Sequence, residues 1–405
     1  MSNYDAIVIG AGHNGLTNAA YLAKSGLKVM VLEKNDYIGG AAVSRELHDG
    51  WTYSNCSYVC SLLRPEIYRD LNLQKHGLQV LAYGGSVTFM KNGDIFGGYS
   101  DHDVARREIG RFSKKDADAY ERFSRDVSRQ CRFIKPLLLR TPPDPTSFKP
   151  KDLSELLFLF KRLYGLGEET IYDTIRFYTM SVAEYLEEYF ESDVVKAALS
   201  GSGIIGTGLG PYSPGTAYVL LHHYMGEVDG NIGSWGFARG GMGAVSNALA
   251  GALKEHSGEI KTNSEVSQII VKNGRATGVV LANGDEHYAK NIVSNLDVKR
   301  TYQKLFDQND LNEKIIKQVD NFKIRGSSGK LNIALDGLPD FPAMGKNNPL
   351  MTADMHFIDS LERMERAFDD WKNGRWSRDP YCDTLIPTLT DPTMAPPGKH
   401  YMSVF

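Results

Sequence analysis

The run Tyr4-Asp5-Ala6-Ile7-Val8-Ile9-Gly10-Ala11-Gly12-His13-Asn14-Gly15 decides the fold. Its opening residues are almost continuously apolar and rich in β-branched side chains, the pattern of a strand buried on both faces. After the glycine turn, Leu16, Ala19, Ala20 and Ala23 recur at helical spacing, and Gly26 supplies a stop. A second apolar strand, Lys28-Val29-Met30-Val31-Leu32, ends in Glu33. The three glycines serve different ends. Gly10 permits the tight turn, Gly12 lets backbone approach a pyrophosphate, and Gly15 lets the helix pack close on the strand. Phosphates then meet the helix N-terminus, where free N–H groups and the macrodipole favour negative charge. Glu33 stands where an acid accepts hydrogen bonds from a ribose. The expected contact set here is Gly10, Ala11, Gly12, Asn14, Gly15, Glu33 and Lys34.

The same glycine spacing recurs at Gly201-Ser202-Gly203-Ile204-Ile205-Gly206. That copy follows a helical-looking stretch, Val194 to Leu199, and precedes Gly208, Gly210, Pro211 and Pro214. With no strand before it and no helix after it, the segment reads as a loop rather than a second nucleotide site.

Gly39-Gly40 follows Glu33 by six residues, then Ala41-Ala42-Val43-Ser44. Here the chain resembles the flavoprotein superfamily that includes amine oxidases and phytoene desaturases, and within it the phytoene-desaturase-like group. The resemblance also rests on Asp49-Gly50-Trp51, Ser61-Leu62-Leu63-Arg64-Pro65, Gly210 through Gly215, His222 through Gly230 and Trp235 through Val245. It implies FAD as cofactor, with the Gly39-Gly40 pair running along it. Ala41 stands where many members carry arginine. It further implies that Gly240-Gly241-Met242-Gly243, the helix after it and a strand meander return to the FAD domain, with the backbone at Val266 meeting the adenine. A C-terminal glycine-rich segment completes that domain in the family. None follows Asp391 to Gly398, so the expectation is a chain lacking that segment, with His400 to Phe405 an unfinished apolar strand.

The meander itself is legible from the residues. Val266 to Val271 alternates, Asn273-Gly274 makes a type-I′ hairpin turn, and Ala276 to Leu281 returns to a second turn at Asn283-Gly284. The expected fold class is α/β and α+β: a three-layer, Rossmann-like FAD-binding domain interleaved with a substrate domain of mixed sheet and helices. Residues 1–75 and 226–300 are assigned to the first, 76–225 and 301–405 to the second.

Composition excludes several alternatives. The 405 residues carry 46 Lys+Arg against 49 Asp+Glu, a net charge of −3 without long blocks of one sign, so a nucleic-acid partner is not expected. No apolar run approaches the roughly 18 residues of a membrane span. No signal or transit pattern precedes Tyr4, and a cytoplasmic protein is expected. On the stretch 153–164, Leu153, Leu156, Leu157, Phe160 and Tyr164 line one helical face. Core packing is the expected use, and contact with a membrane or a lipid-like substrate is the alternative.

The expected activity is hydride transfer from a hydrophobic or amine-like small molecule to flavin N5. The alternative is a protein that binds FAD weakly and acts through protein contacts. Candidate polar residues are few: His222 and His223 as a proton acceptor, and more remotely Tyr58 and Arg64. Cys56 and Cys60 lack the spacing of a reactive dithiol and are expected to be small buried side chains. No metal site is expected.

Overall fold

The computed structural model describes residues 4–345 and 348–405. Its two six-stranded sheets draw on separate parts of the chain. The strands are β1 (Tyr4–Ile9), β2 (Val29–Leu32), β3 (Ser86–Phe89), β4 (Ile95–Gly98), β5 (Glu259–Lys261) and β6 (Val266–Lys272). They continue with β7 (Arg275–Leu281), β8 (Glu286–Ser294), β9 (Leu331–Leu335), β10 (Asp354–His356), β11 (Asp383–Leu385) and β12 (His400–Val404).

The first sheet has the order β5-β2-β1-β8-β7-β6, with β5, β2, β1 and β8 parallel. Helix α1 (His13–Lys24) crosses from β1 to β2 on one face. Leu16, Ala19, Ala20 and Ala23 pack there with Ala6, Val8, Val29 and Val31. Ile7, Ile9, Met30 and Leu32 point the other way, onto Ile269, Val279 and Leu281 of the meander. Both faces of β1 are thus covered, which is why its sequence is a nearly unbroken apolar run. The hairpin at Asn273-Gly274 has φ of 53° and 71°, the two left-handed residues a type-I′ turn needs.

The second sheet has the order β9-β12-β11-β10-β3-β4. Strand β12 pairs with both β9 and β11, so the apolar strand expected from His400 onward forms and lies inside the sheet. Between the sheets' sequence segments lie the helices α2 (Lys114–Ile134), α3 (Pro150–Tyr164), α4 (Glu168–Thr179), α5 (Val182–Glu187), α6 (Asp193–Ile204) and α7 (Thr216–Tyr224). Phe123, Val127, Leu186, Val195, Leu220 and Leu221 form their core. The buried carboxylate of Asp116 ties α2 to this body by accepting the N–H groups of Glu191 and Ser192 at 2.8 and 2.9 Å.

Two sequence expectations fail here for packing reasons. The second glycine motif is not all loop: Gly201 and Gly203 lie inside α6. A Cβ on Gly201 would stand 2.2 Å from the Tyr381 hydroxyl, and one on Gly203 would stand 2.9 Å from Val182 Cβ, so these glycines permit close helix packing. Helix α3 does not pack its apolar stripe into the core. None of its residues is buried, and Leu153, Leu157, Phe160 and Tyr164 are 47, 53, 63 and 82% exposed. It is held by half-buried Leu163 against the helical core and by polar staples: Arg140 to Glu155, and Arg162 to the carbonyls of Arg132 and Phe133.

A candidate flavin-binding site

The turn between β1 and α1 is lined by glycine backbone. Gly10 has φ of 94°, and its N–H donates to Leu32 O at 2.8 Å, closing the strand. A Cβ on Gly15 would sit 2.3 Å from Gly10 O. The Gly39-Gly40 loop lies against this turn: Gly39 N–H donates to Ala11 O at 2.8 Å, and a Cβ on Gly40 (φ 57°) would come within 3.0 Å of Gly12 Cα. The first hydrogen bond of α1 runs from Leu16 N–H to Gly12 O at 2.9 Å. The N–H groups of His13, Asn14 and Gly15 therefore have no acceptor within the helix. His13 Nδ1 is also buried without a partner, and burial holds this imidazole below its ordinary pKa, hence neutral. A side-chain-free cradle, open N–H donors and an orphaned buried nitrogen fit an elongated diphosphate group.

Glu33 does more than the sequence assigned it. Its Oε2 accepts Ala11 N–H at 2.9 Å, and its Oε1 accepts both Asn35 N–H and Asn35 Nδ2 at 3.0 and 2.9 Å. The carboxylate thus fixes the glycine turn from below. Ser264 N–H donates to Glu33 O at 2.8 Å, which sets half-buried Val266 just beyond this acid. Asn14, Lys34 and Ala41 are exposed around the cradle. The Ala41 carbonyl accepts both N–H and Oγ–H of Ser57 at 3.0 and 2.8 Å.

Sequence reasoning missed Asn295 and Asp391. Asn295, just past β8, donates its N–H to Ile9 O at 2.9 Å, and its amide faces the glycine turn. The Gly240–Gly243 cluster docks on the loop after Gly40 and on a distant carboxylate: Gly243 N–H donates to Ser44 Oγ at 2.8 Å and Gly240 N–H to Asp391 Oδ2 at 2.6 Å. A polar residue at a strand end facing the motif is the one signal that could have raised Asn295. Nothing local marks Asp391.

One face of the second sheet looks toward residues 53–61. There Lys330 Nζ donates to Ser54 O at 2.6 Å and stands 5.3 Å from the Tyr58 ring centre, while Tyr58 stacks on Phe405 at 5.0 Å. Burial pushes the Lys330 ammonium down to about 8. A cavity of about 800 Å³ opens from this point, lined by Leu209, Lys330, Met364, Phe368, Trp371 and Phe405. Lys330 also yields a pH signature. Its folded-state pKa is depressed, so between about pH 8 and 10.5 the unfolded chain holds the extra proton and stability from this group rises with pH. Lys330→Met removes that slope: the Tm difference between variant and wild type shifts in favour of wild type as pH rises across this window. A pH-independent difference would refute the assignment.

The histidine pair stands apart from the cradle's chemistry. His223 is buried with Nδ1 at 2.7 Å from Ser202 O and 2.9 Å from Val219 O, joining α7 to α6. Burial lowers the pKa of both His222 and His223. Arg64 caps a short helix beside Glu66, at 3.2 Å. Tyr58 is better placed, donating to Asp383 Oδ2 at 2.7 Å. All four cysteines are free. Only Cys60 of the first pair is buried, with its thiol pushed up to about 11 by burial, whereas Cys56 is exposed, correcting the expectation that both are buried.

A nucleotide cradle on a parallel sheet, together with a second mixed sheet that carries an apolar cavity, defines an FAD-dependent oxidoreductase of the amine-oxidase fold. The chain belongs to the flavin-containing amine oxidoreductase family, whose model matches residues 15–348. It is 36% identical to pyridine nucleotide-disulfide oxidoreductase domain-containing protein 2 of Mus musculus, over 99% of this chain and 73% of the relative. It is 30% identical to the chloroplastic prolycopene isomerase of Daucus carota, over 99% of this chain and 61% of the relative. A solved structure of a redesigned putrescine oxidase shares the fold at a TM-score of 0.57 and 14% identity, covering 99% of this chain and 74% of that one. Glycines 10, 12, 15 and 40 and the N–H groups of α1 are the residues that would hold FAD.

Proposed function

We propose that the protein removes a hydride from a hydrophobic small molecule held in the cavity beside Lys330. The observation that carries this reading is the cavity lining, where Leu209, Met364, Phe368, Trp371 and Phe405 stand with Lys330, and Arg375 also lines the wall. Such walls exclude water from a reacting C–H bond and bind an extended apolar chain by its buried area. FAD, when bound, supplies the two-electron acceptor. Lys330, with its pKa near 8, can hold or release a proton at Nζ near neutral pH. The prolycopene isomerase relative supports an apolar polyene as substrate class over a short diamine. Anaerobic mixing tests this: a polyene or a long-chain apolar amine bleaches the visible flavin band, and a short diamine leaves it unchanged. Bleaching by the diamine alone would overturn the proposal.

The reading extends to where the substrate comes from. Leu153, Leu157, Phe160 and Tyr164 on α3 are exposed, as are Tyr172 and Ile175 on α4 and Phe148 before α3. Lys149, Lys151 and Lys161 stand on or next to the same helix. Apolar side chains flanked by lysines suit the interface of an anionic bilayer. Among the described residues no helix is long and apolar enough to cross one. Wild-type protein is expected to float with vesicles containing phosphatidylserine. Leu157→Asp with Phe160→Asp lowers binding more than about tenfold, since each side chain contributes roughly 1.5–3 kcal/mol when buried. Equal flotation of both proteins would remove the membrane from the proposal. Four free cysteines support a reducing compartment such as the cytoplasm.

A further inference from the structure

The second sheet brings together three ligand-type side chains that are scattered in sequence. Asp354 and His356 sit two residues apart on β10 and so share a face, and His356 lies in register with Asp383 on β11. His356 Nε2 is 3.3 Å from Asp354 Oδ2 and 3.1 Å from Asp383 Oδ1. One ligand atom from each of the three falls within 4.8 Å of the others. Asp383 is fully buried, and His356 is 7% exposed.

We infer that Asp354, His356 and Asp383 form a binding site for one divalent transition-metal cation of the zinc type. Two observations carry this. First, the carboxylates are under-satisfied: Asp354 Oδ1 and Asp383 Oδ1 are buried without a hydrogen bond, although Asp383 Oδ1 lies within ion-pair distance of His356 Nε2. Buried polar atoms are rarely left so. Second, the spacing fits. Nitrogen and oxygen ligands bound at roughly 2.0–2.2 Å around a tetrahedral ion stand about 3.3–3.5 Å apart, close to the two contacts of His356. Three protein ligands are also the number found in zinc sites that keep a coordination position open.

The site shares no residue with the flavin cradle, and Tyr58 ties it to the loop after Ser54 through its bond to Asp383. The ion would bind β10 to β11 and, through Tyr58, the loop after Ser54.

The flavin-loaded full chain, dialysed against a chelator, is titrated with ZnCl₂ by calorimetry, with CoCl₂ absorption as a second readout. Wild type is expected to take up one equivalent and to show the visible bands of low-coordinate cobalt. His356→Ala lowers affinity more than about 100-fold, beyond the 10–100-fold typical of outer-shell losses. Asp354→Asn, which keeps the side-chain volume, does the same while retaining the metal-free Tm. Cys382→Ser, next to Asp383, leaves binding unchanged. Absence of saturable uptake by wild type would overturn the inference. So would uptake that survives His356→Ala or disappears in Cys382→Ser.

Discussion

Gly12→Val abolishes FAD binding and leaves the fold standing. The backbone at Gly12 has φ of −69° and ψ of 162°, an extended conformation that valine adopts without strain. A Cβ there would meet Asn295 Nδ2 at 2.9 Å, the free end of a side chain that can move, and Gly40 Cα only at 3.9 Å. The valine methyl groups then occupy the mouth of α1, where His13, Asn14 and Gly15 present their N–H groups. Affinity for FAD is expected to fall more than about 100-fold, some 2.8 kcal/mol, with the Tm of the flavin-free protein within a few degrees of wild type. Gly15→Val behaves differently. Its Cβ would stand 2.3 Å from Gly10 O, a backbone atom that cannot step aside without opening the strand–helix packing. That substitution destabilises the domain by more than the roughly 1–3 kcal/mol usual for overpacking. Flavin content of the purified variants, set beside their melting curves, separates the two cases. A Gly12→Val protein that purifies with full flavin would refute the cradle.

The contrast between these glycines shows which parts of the molecule the sequence could reveal. The β1–α1–β2 unit is built from neighbours in the chain. Its apolar periods, its turn and Glu33 are all visible within the first residues, and the meander is equally local. Long-range partners decide the rest. Gly201 and Gly203 look like a nucleotide loop until Tyr381 and Val182 are seen packed on them. The stripe on α3 has the period of a core helix, but period reports only amphipathicity. Which phase covers it depends on neighbours that here are polar staples. His222-His223 stand out as adjacent histidines, yet His223 binds two carbonyls. The Asp354–His356–Asp383 group was invisible because sheet register, not spacing, assembles it.

Glu33 offers the second large effect, and it separates two jobs for one carboxylate. A residue that only met a ligand could be removed from the flavin-free protein with little loss of stability. The structure gives Glu33 a supporting role as well: it satisfies the fully buried N–H of Ala11 and both donors of Asn35. In Glu33→Ala the Ala11 N–H is left buried without an acceptor, a loss of about 1–3 kcal/mol. The Asn35 donors lie nearer solvent and recover part of theirs from water. Glu33→Gln does not rescue the turn. A carboxamide accepts at one end only, and its NH₂ must then face either the Ala11 N–H or the Asn35 donors, like against like. Both variants are therefore expected to melt below wild type without any flavin present. Both also bind FAD at least about tenfold more weakly, about 1.4 kcal/mol, because the turn that cradles it is no longer fixed. The decisive measurement is the Tm of the flavin-free proteins. A variant that melts with wild type but binds FAD poorly would confine Glu33 to ligand contact and remove its role as the support of the glycine turn.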